Sequence, residues 1–328
     1  MNKKIKIGIV GYGNLGRGVE LSVKNSDDME LVAIFTRRPD QVKPVDQSVK
    51  VVSLQAAEDF VDTIDVMILC SGSAGDLPEQ GPVFASMFNT VDGYDNHQSI
   101  PKYKKAMDQA SKASGKVSAV CMGWDPGLFS LNRVMMDAVM DKGSVHSFWG
   151  PGISQGHTNA VKKIPGVKDA VQYTVPIEEV MDQIRGGASL ELTNGQKHKR
   201  ECYIVAEDHA DKEKITHTIK NMPAYFVGYE TTVTFVDEEE FNQNHRGIHH
   251  GGFVIGSFGT GDGTHRHVAE FSLRLDSNAE FTASVLTAYA RAAFRLNQKG
   301  ESGAFTIYDI PMKYISEKPE EELYKNYL

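Results

Sequence analysis

The chain has 328 residues, enough for about two domains that each bury a core. Its 43 acidic residues outnumber 35 basic ones for a net charge of −8, which argues against nucleic acid or an anionic membrane as the main partner. Three widely spaced cysteines, Cys70, Cys121 and Cys202, form no C-x-x-C pair, and no apolar run reaches the roughly 20 residues that cross a bilayer. Lys3, Lys4 and Lys6 imitate the charged start of a signal peptide, but the apolar run behind them stops at Gly11, too short for an h-region. A soluble cytoplasmic protein with reduced thiols is expected.

Ile5, Ile7, Ile9 and Val10 make a short buried strand. Gly11, Gly13 and Gly16 then fit G-x-G-x-x-G, with Tyr12, Asn14 and Leu15 between them and a helical pattern behind. In that fingerprint the glycines serve a tight turn, close approach to a pyrophosphate and close helix–strand packing. A second strand, Leu31 to Phe35, ends in Thr36-Arg37-Arg38, about 20 residues past Gly16, where an NAD site usually has an acid. Two guanidiniums suit a 2′-phosphate instead, so the expected cofactor is NADP.

A third strand follows around Val49 to Val52, then a helix from about Gln55 to Phe60. Val66 to Cys70 is an apolar fourth strand running into Ser71, Gly72, Ser73 and Ala74, small residues that let a cofactor approach the backbone. A helix near Gln80 to Phe88, a strand at Asn89 to Asp92, a helix from Ile100 to Ala113 and a strand at Val117 to Cys121 continue the pattern. This β-α repetition predicts a Rossmann-type, doubly wound parallel sheet of the α/β class, with ligands at the carboxyl ends of its strands.

After Gly123 the pattern changes. A helix from about Leu128 to Met140 precedes strands at Val145 to Trp149, Ala170 to Val175, Lys199 to Ala206, Tyr225 to Phe235, Gly251 to Phe258 and Arg266 to Leu275. Alternation along the last of these marks a sheet with one wet face. The expected organisation is a dinucleotide-binding domain over 1–123 plus about 279–328, and a second α+β, mostly antiparallel domain over about 124–278. A helix from Phe281 to Leu296 should pack back onto the first domain, and the Glu317-to-Glu322 tail reads as a solvated charged end.

Asp95 and Asp125 lie just beyond two strand ends, where a nicotinamide should meet substrate. Paired carboxylates there suit an α-ammonium group, one holding it while another group or a water removes a proton. Trp124 adds an apolar wall. Gly152-Ile153-Ser154-Gln155-Gly156 matches the G-x-S-x-G elbow, and a serine hydrolase using His157 or His250 is the competing reading. His265 and His267 share a strand face, but no further ligands complete a metal set, and no metal is expected. In His198-Lys199-Arg200, alternation turns either Lys199 or Arg200 inward, where a guanidinium could clamp a carboxylate.

The strings 10–17, 35–38, 91–97, 123–127 and 148–157 resemble the meso-diaminopimelate dehydrogenase family, as do Val171 to Thr174, 198–200, Tyr225 to Tyr229, 250–252 and 302–306. The resemblance covers nearly the whole chain. It implies NADP-dependent oxidative deamination at the D-centre of meso-2,6-diaminopimelate, in lysine and peptidoglycan precursor synthesis, and a homodimer built through the second domain. Carried over, it puts Asp95, Trp124 and Asp125 around the reacting centre, with the backbone of Gln155 and Gly156 nearby. Thr174, Arg200, His250 and Asn278 would recognise the distant L-centre. Asn159 stands where the family has an aspartate. Glucose–fructose oxidoreductase-type enzymes fit worse, because their Glu-Lys-Pro occurs here only at Glu317 to Pro319. Dihydrodipicolinate reductases also fit worse, since Gly251-Gly252 follows His249-His250. The remaining alternatives are a dehydrogenase of other D-amino acids and a non-enzymatic NADPH-sensing protein.

Overall fold

The first strand, β1 (Ile5–Val10), is an apolar run that is buried on both faces, as a central parallel strand must be. The computed structural model describes residues 4–73, 75–140, 142–247 and 249–328, so Lys3 and Ala74 lie outside the described residues. From β1 the chain continues through α1 (Asn14–Lys24), β2 (Met29–Thr36), β3 (Lys50–Ser53), β4 (Val66–Leu69) and α2 (Leu77–Ala85). Next come β5 (Asn89–Asp92), α3 (Ile100–Ser114), β6 (Val117–Ala119) and α4 (Leu128–Val139). The expected helix at Gln55 to Phe60 is a 3₁₀ helix, Leu54–Phe60.

The middle of the chain is richer in helices than its sequence pattern predicts. It runs β7 (Lys142–Trp149), β8 (Gly152–Ile153), α5 (Gln155–Lys162), β9 (Val167–Pro176), α6 (Glu178–Arg185) and α7 (Asn194–Lys197). Then follow β10 (His198–Ala206), α8 (Lys212–Lys220), β11 (Glu230–Phe235), α9 (Glu238–Asn244), β12 (His250–Thr260) and β13 (His265–Leu275). The chain ends with α10 (Asn278–Gln298), β14 (Gly303–Phe305) and α11 (Glu320–Tyr327). The strand expected from Tyr225 begins only at Glu230. Before it, Ala224 and Gly228 take positive φ (64° and 89°), so that stretch turns rather than extends.

Two units result, Met1–Leu131 with Ala279–Leu328, and Asn132–Asn278. The first holds a seven-stranded sheet of order β14-β6-β5-β4-β1-β2-β3, parallel throughout. The strand order reverses between β1 and β4, with β2 and β3 laid outward on one side and β4, β5 and β6 on the other, which opens the ligand crevice of a doubly wound sheet. Period-2 alternation splits the core. Ile5, Ile7, Ile9, Ile34 and Ile68 pack with Leu286, Tyr289, Ala290 and Ala293 of α10 on one face; Phe35, Met67, Leu69, Phe84 and Met107 pack on the other. Each fully buried side chain of this kind contributes about 1.5–3 kcal/mol. The helix near the C-terminus therefore does pack on the first sheet.

Arg291 on α10 is 3% exposed and bonds both oxygens of Asp28 at 2.6 and 2.7 Å and Glu317 at 2.7 Å. The tail is tied down at Glu317 and helical from Glu320, not merely a solvated end. In the second unit one sheet is β11-β10-β9-β8 and the other β13-β12-β7. All pairs are antiparallel except β10 with β11. Among the described residues no helix is long and apolar enough to cross a membrane.

Candidate active site

The β1–α1 turn, the end of β2 and the end of β4 enclose a cavity of about 360 Å³. Gly11, Tyr12, Gly13, Thr36, Arg37, Arg38, Ser71 and Gly72 all line it, as the sequence leads one to expect. Gly16 lies beneath: a Cβ there would sit 2.2 Å from the Gly11 carbonyl oxygen, so only glycine lets α1 start this close to the turn. At Gly13 nothing lies within 4 Å of a Cβ position, which leaves its backbone open to a ligand. Asn14 and Leu15 open α1, and Ser73 follows Gly72 beyond β4; none of the three lines the cavity. Tyr12 donates its hydroxyl to Glu20, whose carboxylate also accepts the amides of Val45 and Asp46 at 3.0 and 2.7 Å. Burial and that acid push the Tyr12 phenol up to about 12.

Sequence reasoning missed three polar members of the cavity: Gln41 beyond β2, and Asp76 and Gln80 beyond β4. Asp76 pairs with Arg37, and the Gln80 Oε1 is buried without a hydrogen-bond partner. Two guanidiniums beside an open glycine turn fit a phosphorylated ligand, and the buried Gln80 oxygen, which can only accept, fits a hydroxyl or N–H of that ligand. The signal that could have found Asp76 and Gln80 is the rule that ligands sit beyond strand ends, extended one turn past β4 into α2.

In the same unit, Asp95 is exposed on the loop after β5. Trp124, 8% exposed, and half-buried Asp125 sit on the loop after β6. That loop closes on itself: the Gly123 amide donates to the Pro126 carbonyl at 3.0 Å, and the Asp125-Pro126 peptide is cis. The Trp124 and Phe129 rings meet edge to face at 5.1 Å.

A second cluster lies in the second unit. β9 and β10 pair Thr174 with Arg200 in register, both buried, and the guanidinium donates to the Thr174 hydroxyl. Alternation thus turns Arg200 inward and leaves Lys199 half-exposed beside Glu230. The Arg200 guanidinium lies 4.1 Å from the Tyr229 ring centroid, while its Nε is buried without a partner. Burial pulls its pKa below the usual arginine range. Gly152, paired with Thr174, packs against the His250 ring: a Cβ there would meet it at 2.6 Å. His250, its Nδ1 accepting the Gly251 amide at 2.7 Å, is held uncharged-leaning by burial, which lowers its pKa. Gln155 and Gly156 open α5, exposed, and Asn278 is half-buried at the start of α10. Asn159 is exposed on α5.

The hydrolase elbow does not hold. Ser154 has ordinary extended backbone (φ −89°, ψ 108°) rather than a strained turn, and β8 belongs to the smaller mixed sheet. Its hydroxyl does meet His157 Nδ1 at 2.7 Å, but burial and nearby Arg200 pull that histidine down to about 4, too low for a base at neutral pH. His265 and His267 are exposed on β13. Among the described residues no three His, Cys, Asp or Glu side chains group as metal ligands.

A doubly wound parallel sheet with an open glycine turn, a basic crevice and carboxylates beyond the strand ends defines a dinucleotide-binding protein of the dehydrogenase class. The family model for the diaminopimelic acid dehydrogenase C-terminal domain matches residues 123–277. The chain is 54% identical to the meso-diaminopimelate D-dehydrogenase of Ureibacillus thermosphaericus, over 99% of both chains. It superposes on the Corynebacterium glutamicum DAP dehydrogenase in complex with DAP with a TM-score of 0.92, at 45% identity, covering 99% of this chain and 100% of that one. An engineered D-amino acid dehydrogenase bound to NADP+ gives a TM-score of 0.88 at 44% identity, with the same coverage. The chain belongs to the meso-diaminopimelate D-dehydrogenase family.

Proposed function

We propose that the chain catalyses reversible NADP-dependent oxidative deamination at the D-centre of meso-2,6-diaminopimelate. The products are ammonia and L-2-amino-6-oxopimelate, which cyclises to tetrahydrodipicolinate. The observation that carries this reading is the 54% identity to a meso-diaminopimelate D-dehydrogenase across 99% of both chains.

In this reading the first unit is the cofactor domain. The turn through Gly11, Tyr12, Gly13, Asn14, Leu15 and Gly16 takes the pyrophosphate on backbone amides and the start of α1. Thr36, Arg37 and Arg38 take the 2′-phosphate, and Ser71, Gly72 and Ser73 line the approach towards the nicotinamide. When bound, NADP+ supplies the hydride acceptor. The carbon–hydrogen bond yields only once the amine lone pair is free, so Asp95 and Asp125 hold the ammonium and, directly or through water, take its proton. Trp124 keeps water from that end.

The second unit is the substrate and dimerisation domain. Arg200, Thr174, His250 and Asn278 recognise the L-centre, with the guanidinium on its carboxylate; the backbone of Gln155 and Gly156 contacts the D-end. The partner is a second copy of the chain, and the compartment is the cytoplasm. The test is an absorbance assay for NADPH formation with meso-diaminopimelate, run beside the LL and DD isomers and simple D-amino acids. Turnover with the meso isomer far above the others is expected. No NADPH from any of them would favour a sensing protein instead.

A further inference from the structure

Asp92, the last residue of β5, is 0% exposed, and among the described residues no cation faces it. We infer that Asp92 is a positioning residue for the reaction, its carboxylate clamping together the loop that carries Asp95 and the loop that carries Trp124 and Asp125. This inference rests on the roles proposed above for those three residues.

The clamp has four links. Asp92 Oδ1 accepts the Tyr94 amide at 3.0 Å, which fixes the start of the Asp95 loop. The same oxygen accepts the Cys121 amide at 3.2 Å, at the start of the other loop. The Asp92 carbonyl accepts the Met122 amide at 2.8 Å, and Oδ2 takes the Tyr103 hydroxyl of α3 at 2.9 Å. Cys121 is held at φ 62°, a left-handed conformation that a side chain disfavours, and the Asp92 bond lies on its amide. Tyr94 and Tyr103 stack at 4.1 Å, closing the pocket around the carboxylate.

A scaffold could have met these amides with asparagine. It uses a charge whose bonds to donors are roughly twice as strong, in a place where a charge is costly. The groups facing it are Tyr103 on α3, Tyr94 on its own loop and Cys121 after β6; none is cationic. Burial consequently pushes the Asp92 carboxyl up to about 6. The fold gives up stability at neutral pH to keep two loops stiff.

The experiment compares Asp92→Asn with the unmutated protein in kcat, NADP+ affinity by fluorescence titration, and melting temperature from pH 4 to pH 8. Asn keeps the acceptor for both amides but loses the charge, and it puts an Nδ2 donor where Oδ2 accepts the Tyr103 hydroxyl. Expected is a kcat lower by about tenfold or more, since small misplacements of reacting groups are costly. NADP+ affinity should stay within about twofold. The native acid binds its proton up to about pH 6 and the unfolded acid only to about 3.8, so the unmutated protein loses this contribution as pH rises through that window. The melting temperature of the variant minus that of the unmutated protein should therefore climb between pH 4 and pH 7. A residue that only holds the fold together would lose rate and stability together at every pH. Turnover by the unmutated protein with Asn kcat within twofold overturns the inference alone, as does a melting difference flat in pH. No turnover by the unmutated protein overturns the functional reading, and this inference with it.

Discussion

Arg37 and Asp76, one beyond β2 and the other at the start of α2, meet in a two-pronged ion pair: Nη1 to Oδ1 at 3.1 Å and Nη2 to Oδ2 at 3.3 Å. The side chains are 68% and 28% exposed, so the pair adds little to stability. Its effect is on the cavity it borders, where an acid stands beside the guanidinium meant for a phosphate. Asp76→Asn should tighten NADP+ by about two- to fivefold and leave NAD+ unchanged. Fluorescence titration with both cofactors checks this. Weaker NADP+ binding would mean that Asp76 orients Arg37 rather than competing for it.

Replacing Arg37 and Arg38 together should weaken NADP+ far more than NAD+. Each charge-assisted contact contributes about 1.5–3 kcal/mol, or roughly ten- to a hundredfold in binding. Equal affinity of the unmutated protein for the two cofactors would sink the assignment.

Asn in place of Asp95 or of Asp125 keeps shape but removes the charge that holds an ammonium and the capacity to take its proton. The expected fall in kcat/KM for deamination is about a hundredfold or more, with NADP+ affinity unmoved. Near-normal rates in both variants would place the chemistry elsewhere.

Arg200→Met separates substrates. The guanidinium, with a buried Nε awaiting a partner, suits a carboxylate remote from the reacting carbon. KM for meso-diaminopimelate should rise more than kcat falls, while an apolar D-amino acid should be used as well as before or better. Parallel losses on both substrates would make Arg200 structural.

His198 makes the second unit acid-sensitive. Its Nε2 accepts the Trp149 amide at 2.8 Å, so the ring must be neutral, its other nitrogen donating to the Asn194 carbonyl at 3.2 Å. Burial, with Lys197 and Arg200 nearby, pulls its pKa from 6.5 down to about 3. A histidine lowered in the fold gives stability that is present above pH 6.5 and lost as pH falls. About 2 kcal/mol should go between pH 6.5 and pH 5. His198→Gln should melt lower at pH 7 but lose less on acidification; identical slopes would assign the acid loss to other groups.

The first unit was legible because β4 is an unbroken apolar run, β1 is apolar but for Lys6, and the phosphate turn needs glycine at fixed spacing. Gly303 to Phe305 was not recognisable as a strand: three residues carry no period, and only pairing with β6 makes them one. Tyr225 to Tyr229 has the aromatic and β-branched character of a strand, yet Gly228 turns it. Short helices such as α6 bury only Met181 and Ile184, too few positions to reveal a helical period. Alternation narrowed the inward cation to Lys199 or Arg200 and the family resemblance pointed to Arg200, whereas Asp76, Gln80 and Asp92 have ordinary sequence surroundings. Their roles come from what the folded backbone brings beside them.

β14 pairs with β6 from the far end of the chain, and α10 covers a sheet face built from its beginning. On the ribosome, β6 therefore waits through more than half of synthesis with an unpaired edge, beside an apolar face that has no lid. A chain stopped at residue 278 contains every residue of the second unit and an unfinished first one. Such a chain should aggregate before any question of catalysis arises, which makes residues 279–328 a checkpoint on yield.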